Sequence, residues 1–277
     1  MNPEETFEDF LSSATSMEVA GVDTEVLIRG EGEPLLYLHG LSGLENSTAL
    51  IDRLARNFKV YAPSVPGFGG TQLPAHFTGI DDAAIFCLDL LDALGIGRAV
   101  VAGFSFGGWL AAEMLVLDPQ RASRLVLGAP LGLPTAHRRE AHVTDIFMLS
   151  PAQLQEHMQY SAPPPPVDPA TLSESQVERM VRNTAAASLY GWSPYVNNPK
   201  LPHRLHRVAL PTLVLWGEDD RIAPLAYGQR FADALPNAEL RPLAQCGHRI
   251  EIDQPSAAAQ AIVNFACASA AIEEPAE

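Results

Sequence analysis

Positive charge is scarce in this chain. Lys59 and Lys200 are its only lysines, and its 18 basic residues face 33 acidic ones for a formal charge of −15. That balance argues against a nucleic-acid partner or an anionic membrane surface, because both need clustered Lys and Arg. Cysteine is also sparse: Cys87, Cys246 and Cys267 lack C-x-x-C or metal-ligand spacing, which suits a reducing compartment and argues against a disulfide framework. Long apolar runs are missing. The Ala-rich stretch 257–272 is broken by Gln260, Asn264 and Ser269 and falls short of the roughly 20 apolar residues a membrane span needs. It reads as a last core-packing helix with an acidic tail, 273–277, behind it. The first ten residues have neither the basic start nor the apolar centre of a secretory signal, so a cytoplasmic protein is expected.

What the chain does have is length and apolar content for one large α/β domain with an insertion: 277 residues, 47% hydrophobic. Segments 17–29 and 35–38 read as leading strands. Helix 48–57, strand 58–62, helix 80–94, strand 99–102, helix 106–117 and strand 124–128 follow. This alternation implies a mostly parallel sheet flanked by helices, with ligands bound in the crevice at the strand C-termini. Between 132 and 207 the alternation stops, and it resumes with strands 212–216 and 238–243. The expected division is a core of 1–131 and 208–277 with a helical cap, 132–207. Within the cap, 150–160 and 173–187 read as helices, the first opened by Ser150-Pro151 and the second by a Ser173/Gln176 capping box. Pro163 to Pro166 cannot be helical and reads as an extended spacer or a rim of the lid.

One serine stands at a strand-to-helix corner, in Gly103-Phe104-Ser105-Phe106-Gly107-Gly108. Gly-x-Ser-x-Gly in that setting lifts the serine hydroxyl above the sheet, beside helix amides that favour a developing anion. An acid-bearing turn, Gly217-Glu218-Asp219-Asp220, ends a later strand, and His248 follows the last one. The order serine, acid, histidine differs from the orders on the two main serine-protease scaffolds.

With these motifs the chain resembles an α/β-hydrolase of the cap-bearing type that includes esterases, lactonases and carbon–carbon bond hydrolases, over about residues 18 to 270. The resemblance implies Ser105 as nucleophile, His248 as base and Asp220 as acid, Asp220 being three positions after the turn glycine. Asp219 is the competitor, read otherwise as binding turn amides. Leu38-His39-Gly40-Leu41 resembles the family's oxyanion loop, so the backbone amides of Leu41 and Phe106 are the implied donors to a tetrahedral oxyanion. Their side chains are then free to line the acyl pocket, and His39 is read as bracing the loop. Val65-Pro66-Gly67-Phe68-Gly69 resembles the family's Pro-Gly-x-Gly turn, with Ser64 where Asp is frequent.

The cap's Phe147, Met148, Met158, Tyr160, Tyr190, Trp192 and Tyr195 suit an apolar chamber, a third of them facing substrate. Phe104, Phe147 and Trp192 are the substrate-contact candidates. His137, His142, His157, His203 and His206 also lie in the cap; His203 and His206 are i,i+3 but lack the carboxylate spacing of a metal site and read as solvated surface, and Cys246 reads as a packing residue. The implied function is cofactor-independent and metal-free hydrolysis of a small, largely apolar ester or lactone by a monomer or homodimer. Carbon–carbon bond hydrolysis of ring-cleavage products is the second enzyme reading, weakened because those hydrolases show Gly-Asn-Ser-Met-Gly at the elbow and Trp after the histidine, where this chain has Phe104, Phe106 and Arg249. A ligand receptor that keeps the fold without turnover is the third.

Overall fold

A computed structural model describes residues 13–135, 143–162 and 171–268. Its centre is an eight-stranded sheet in the order β1-β2-β4-β3-β5-β6-β7-β8. The strands are β1 (Ala14–Val19), β2 (Val22–Arg29), β3 (Glu33–Leu38), β4 (Phe58–Pro63), β5 (Ala99–Phe104), β6 (Ala122–Gly128), β7 (Thr212–Gly217) and β8 (Ala238–Leu243). β1 and β2 are antiparallel, as are β2 and β4; every other neighbouring pair is parallel. The segment 17–29 is therefore a hairpin and not one strand. Ala20 and Gly21, both at positive φ, make the tight turn that lets it fold back.

Burial follows from this topology. A parallel strand needs a crossover, and crossover helices cover both sheet faces, so the inner strands must be apolar on both sides. All six residues of β5 and all six of β7 are buried, whereas the edge strands β1 and β8 alternate with exposed positions. The crossover helices are α1 (Thr48–Leu54), α2 (Ile80–Ala93), α3 (Phe106–Leu117) and α6 (Leu225–Ala234), and the chain closes with α7 (Ile250–Asp253) and α8 (Pro255–Ala268). Helix α3 is apolar but for Glu113 and buried from Phe106 through Val116, the mark of a helix covered all round.

Between β6 and β7 the chain adds no sheet strand among the described residues. It carries instead α4 (Pro151–Met158) and α5 (Glu174–Gly191) with three short 3-10 turns. Ser150 and Ser173 cap the two helices through the hydroxyl, and Gln153 and Gln176 return the bond. Helix α5 runs four residues past the expected end at 187, because Leu189 and Tyr190 continue a face that docks on the core. The Tyr190 hydroxyl donates to the Pro66 carbonyl at 2.9 Å, and Asn198 Nδ2 donates to buried Glu113 on α3 at 2.9 Å. Pro163 to Pro166, His137, His142 and the acidic tail lie outside the described residues. His203 and His206 are exposed, and no helix among the described residues is long and apolar enough to cross a membrane.

Candidate active site

Ser105 closes β5 and opens α3 at φ 52°, ψ −115°, a left-handed conformation that costs a non-glycine residue on the order of 1–3 kcal/mol. The surroundings hold it there. Its amide donates to Gly128 O at 2.8 Å, and its carbonyl accepts from Gly108, Trp109 and Leu131. Flanking glycines make the corner possible: a Cβ at 103 would lie 2.1 Å from Gly107 O, and one at 107 would lie 2.1 Å from Leu38 O. Strain in the backbone thereby presents the hydroxyl to the crevice.

There Ser105 Oγ lies 2.8 Å from His248 Nε2, and His248 Nδ1 lies 2.8 Å from Asp220 Oδ2. A carboxylate only accepts, so Nδ1 carries the proton and Nε2 is left to accept from the serine hydroxyl. The His248 and Asp220 side chains are 1% and 0% exposed. Asp220 uses its other oxygen, Oδ1, to accept from the amides of Ile222 (2.8 Å) and Ala223 (2.9 Å). The turn-amide role assigned above to Asp219 thus falls to the same carboxylate that holds the histidine. A serine so placed can surrender its proton to the imidazole as its oxygen attacks a carbonyl carbon.

Two backbone donors beside Ser105 are uncommitted. The amides of Leu41 and Phe106 reach no acceptor among the described residues. His39 braces the first of these loops: Nδ1 donates to Gly40 O at 2.7 Å and Nε2 accepts from Val65 N at 3.0 Å, with the ring buried and burial holding its pKa below the ordinary value.

The cavity above Ser105 has a volume of about 20 Å³, enough for about one water molecule. Apolar Leu41, Leu131, Ile146, Met158 and Ile222 wall it, with Ser42, Arg249 and Glu251 at its polar side. Ile146 and Met158 come from the cap and Ile222 from the Asp220 turn; together they form an apolar cluster separate from the main core. Arg249 donates through Nη2 to Ser42 Oγ at 2.7 Å and through Nη1 to Gln155 of α4 at 3.1 Å. Burial lowers its pKa, against the pull of Glu251 and Asp253, while burial raises that of Glu251.

None of Phe104, Phe147 and Trp192 lines this cavity. Phe104 stacks on Tyr37 and fills the space that Gly128 leaves open, because its place in β5 turns it into the sheet packing. Phe147 packs edge-on against Trp192 and Tyr195, and Trp192 is 64% exposed. The Phe106 ring is likewise drawn off, into a cluster with Phe68, Trp109 and Tyr190. Of the seven aromatic and methionine candidates in the cap, only Met158 faces the cavity; Met148 and Tyr160 are exposed. Cys246 is buried, and burial keeps its thiol far above its ordinary pKa. Ile146, Ile222, Leu131 and Arg249 were not read as cavity residues from the sequence, although Ile222 stands two residues from Asp220 and Arg249 next to His248, and that proximity was a usable signal.

Comparison with known proteins bears on this geometry. Residues 35–261 match the model of the alpha/beta hydrolase family. A 2-hydroxymuconate semialdehyde hydrolase of Pseudomonas putida is 30% identical over 264 residues, 89% of this chain and 91% of that protein. A poly(3-hydroxyalkanoate) depolymerase of Ectopseudomonas oleovorans is 29% identical over 84% of this chain and 83% of its own length. The naproxen esterase of Bacillus subtilis superposes with a TM-score of 0.71 at 20% identity, covering 94% of this chain and 95% of that one.

Proposed function

The chain belongs to the alpha/beta hydrolase family, and from that premise we propose that it is a serine hydrolase that cleaves a carboxylic ester or lactone of a small, largely apolar substrate through an acyl-enzyme. The observation that carries the reading is the 2.8 Å contact between Ser105 Oγ and His248 Nε2, set beside two unused amides. Ser105 attacks the carbonyl and His248 takes its proton. The amides of Leu41 and Phe106 receive the oxyanion, and the imidazolium, stabilised by Asp220, protonates the leaving group. Water repeats the sequence and frees the acid. Five apolar walls suit an acyl chain. A ligand chamber usually measures several hundred Å³, so Ile146 and Met158 withdraw with the cap to admit one.

Carbon–carbon bond hydrolysis is the second reading. The similarity to 2-hydroxymuconate semialdehyde hydrolase favours it; Arg249 in place of a tryptophan after the histidine counts against it.

A panel of p-nitrophenyl acetate and butyrate, aryl esters, lactones and a chromophoric ring-cleavage dienoate, run beside Ser105→Ala, decides between them. Sustained ester or lactone turnover that vanishes in Ser105→Ala is the expected result. Fast bleaching of the dienoate with no ester turnover transfers the assignment to the second reading. A single-turnover burst alone indicates a receptor. Activity unchanged in Ser105→Ala sinks the nucleophile.

A further inference from the structure

Ser42, the residue after Leu41, is gripped from two directions. Its hydroxyl accepts from Arg249, which is itself tied to Gln155 of α4, and its carbonyl accepts from Nδ2 of Asn183 on α5 at 3.2 Å. Asn183 Oδ1 at the same time accepts from the amide of Gly69, in the turn after β4, at 2.8 Å. Gly69 N–H can only donate and Ser42 C=O can only accept, so a single orientation of the side-chain amide satisfies both. One cap residue therefore fastens two core loops together, and one of them carries the uncommitted Leu41 amide.

The rest of α5 supports that placement. Arg179, Asn183, Ala186 and Tyr190 recur at helical spacing and form the face turned to the core. Arg179 pairs with Glu25 and Glu45, Ala186 meets Gly67, and Tyr190 reaches Pro66. The opposite face, with Val177, Met180 and Val181, is exposed. On the loop side, Gly43 closes a turn onto Gly40 O at φ +88°, and a Cβ there would lie 2.6 Å from Asn183 Nδ2 and 2.5 Å from Glu45 Oε2. Only a residue with no side chain lets the cap amide come that close.

We propose that Asn183 is a positioning residue for the oxyanion loop: the docked cap, through the Asn183 bridge between Ser42 O and Gly69 N, sets the Leu41 amide toward the carbonyl attacked by Ser105. The inference rests on Leu41 being an oxyanion donor. It means that closing the cap over substrate and completing the oxyanion hole are one event. The 20 Å³ cavity of the docked state agrees, since this arrangement cannot be the one that substrate enters.

An alkyl fluorophosphonate tests the idea without knowledge of the natural substrate. Ser105 Oγ bonds to phosphorus, the P–F bond breaks, the hydroxyl proton passes to His248 and leaves with fluoride to the buffer, and the phosphoryl oxygen occupies the oxyanion position. In Asn183→Leu, of similar volume, the labelling rate and kcat for p-nitrophenyl butyrate should fall together by ~10- to 100-fold, less than the loss from deleting a donor outright. KM should stay within about twofold and the acid limb of the rate profile should not move. Gly43→Ala, which spoils the same contact from the loop side, should lose rate in the same way, whereas Arg182→Ala, an exposed neighbour on α5, should behave as wild type. Labelling of Asn183→Leu and Gly43→Ala at the wild-type rate, a loss confined to KM, or an equal loss in Arg182→Ala would overturn the proposal. If only these fail while Ser105 in the wild-type chain labels and Ser105→Ala does not, the hydrolase reading stands alone. A wild-type chain that is not labelled at all brings down both.

Discussion

Two polar clusters stand out, one at Ser105 and one that braces the loop after β3, and they are held in different ways. In the first, Ser105, Asp220 and His248 come from turns that end β5, β7 and β8, and each is fixed by its own neighbourhood: a strained corner between glycines, two amides two and three residues on, a loop closed by Gly247 N on Asp253. In the second, Arg179 and Asn183 reach out from α5 to partners as far as 154 residues away in the chain, Glu25 on β2 and Glu45 beside the oxyanion loop. Backbone constraint and short-range bonds hold the first cluster within the core, and the turns around it also bond to the cap, Arg249 N to Met158 O and Thr144 N to Ile222 O. Side-chain reach makes the second a property of the docked cap. The contrast is between three side chains set largely by short-range backbone constraint and a loop brace made by long-range side-chain bonds.

The sharpest way to break that contrast is inside the first cluster. Asp220→Asn should cost about 10⁴-fold in kcat, because the imidazole loses the partner that selects its tautomer, with Asp219→Asn within a few-fold of wild type in the same ester assay. The reverse ranking would move the acid to Asp219. Next in size is Arg179→Met, which leaves the partly buried Glu25 and Glu45 without their cation. An unfolding free energy lower by about 1–3 kcal/mol in urea titration is expected, below the loss for a fully buried pair. A loss below about 1 kcal/mol would mean that the cap is held by its apolar face and not by the ion pairs.

The smallest effect is one of pH. Burial pushes the Glu25 carboxyl up, but hydrogen bonds from Arg179 and Ser64 and the Arg179 charge outweigh it, so its folded pKa lies below the ordinary 4.5. A depressed folded pKa contributes stability that is complete above the unfolded value and lost as pH falls through the folded one. The stability gap between wild type and Glu25→Gln should therefore hold steady above about pH 4.5 and narrow below it. A gap that widens toward acid contradicts the ion pair. Ser64 donates to Glu25 Oε1 at 2.6 Å and belongs to the same network.

The fold was readable because its signals are local and repeated: β5 through α3 lies where the glycine pattern set it, the Ser173/Gln176 capping box forms as expected, and Ser150-Pro151 opens α4, where Gln153 adds a second box that the sequence reading did not name. The pairing of Ser105, Asp220 and His248 was readable for a related reason, since each sits at the end of a strand and parallel strands bring their ends to one side. The cavity lining was not. Phe104 and Trp192 look like ligand contacts by composition, yet a strand's alternation turns the first into the sheet packing and the second is exposed, packed edge-on against Phe147. Ile146 and Ile222 are ordinary in sequence and meet only because cap and core dock there.

The amino-acid sequence by itself determined the alternating elements, the corner that exposes Ser105, the chain order of serine, acid and histidine, and the stretch between β6 and β7 where the alternation breaks. These rest on short-range sterics and on periodicity, which travel with the residues. Only the tertiary structure decided which cap side chains reach the cavity, that one carboxylate of Asp220 serves both the turn amides and His248, and that Asn183 and Arg249 hold the loop beside Leu41. Those contacts join residues far apart in the chain through flexible side chains, and packing, which no local pattern encodes, selects among the partners they could have taken.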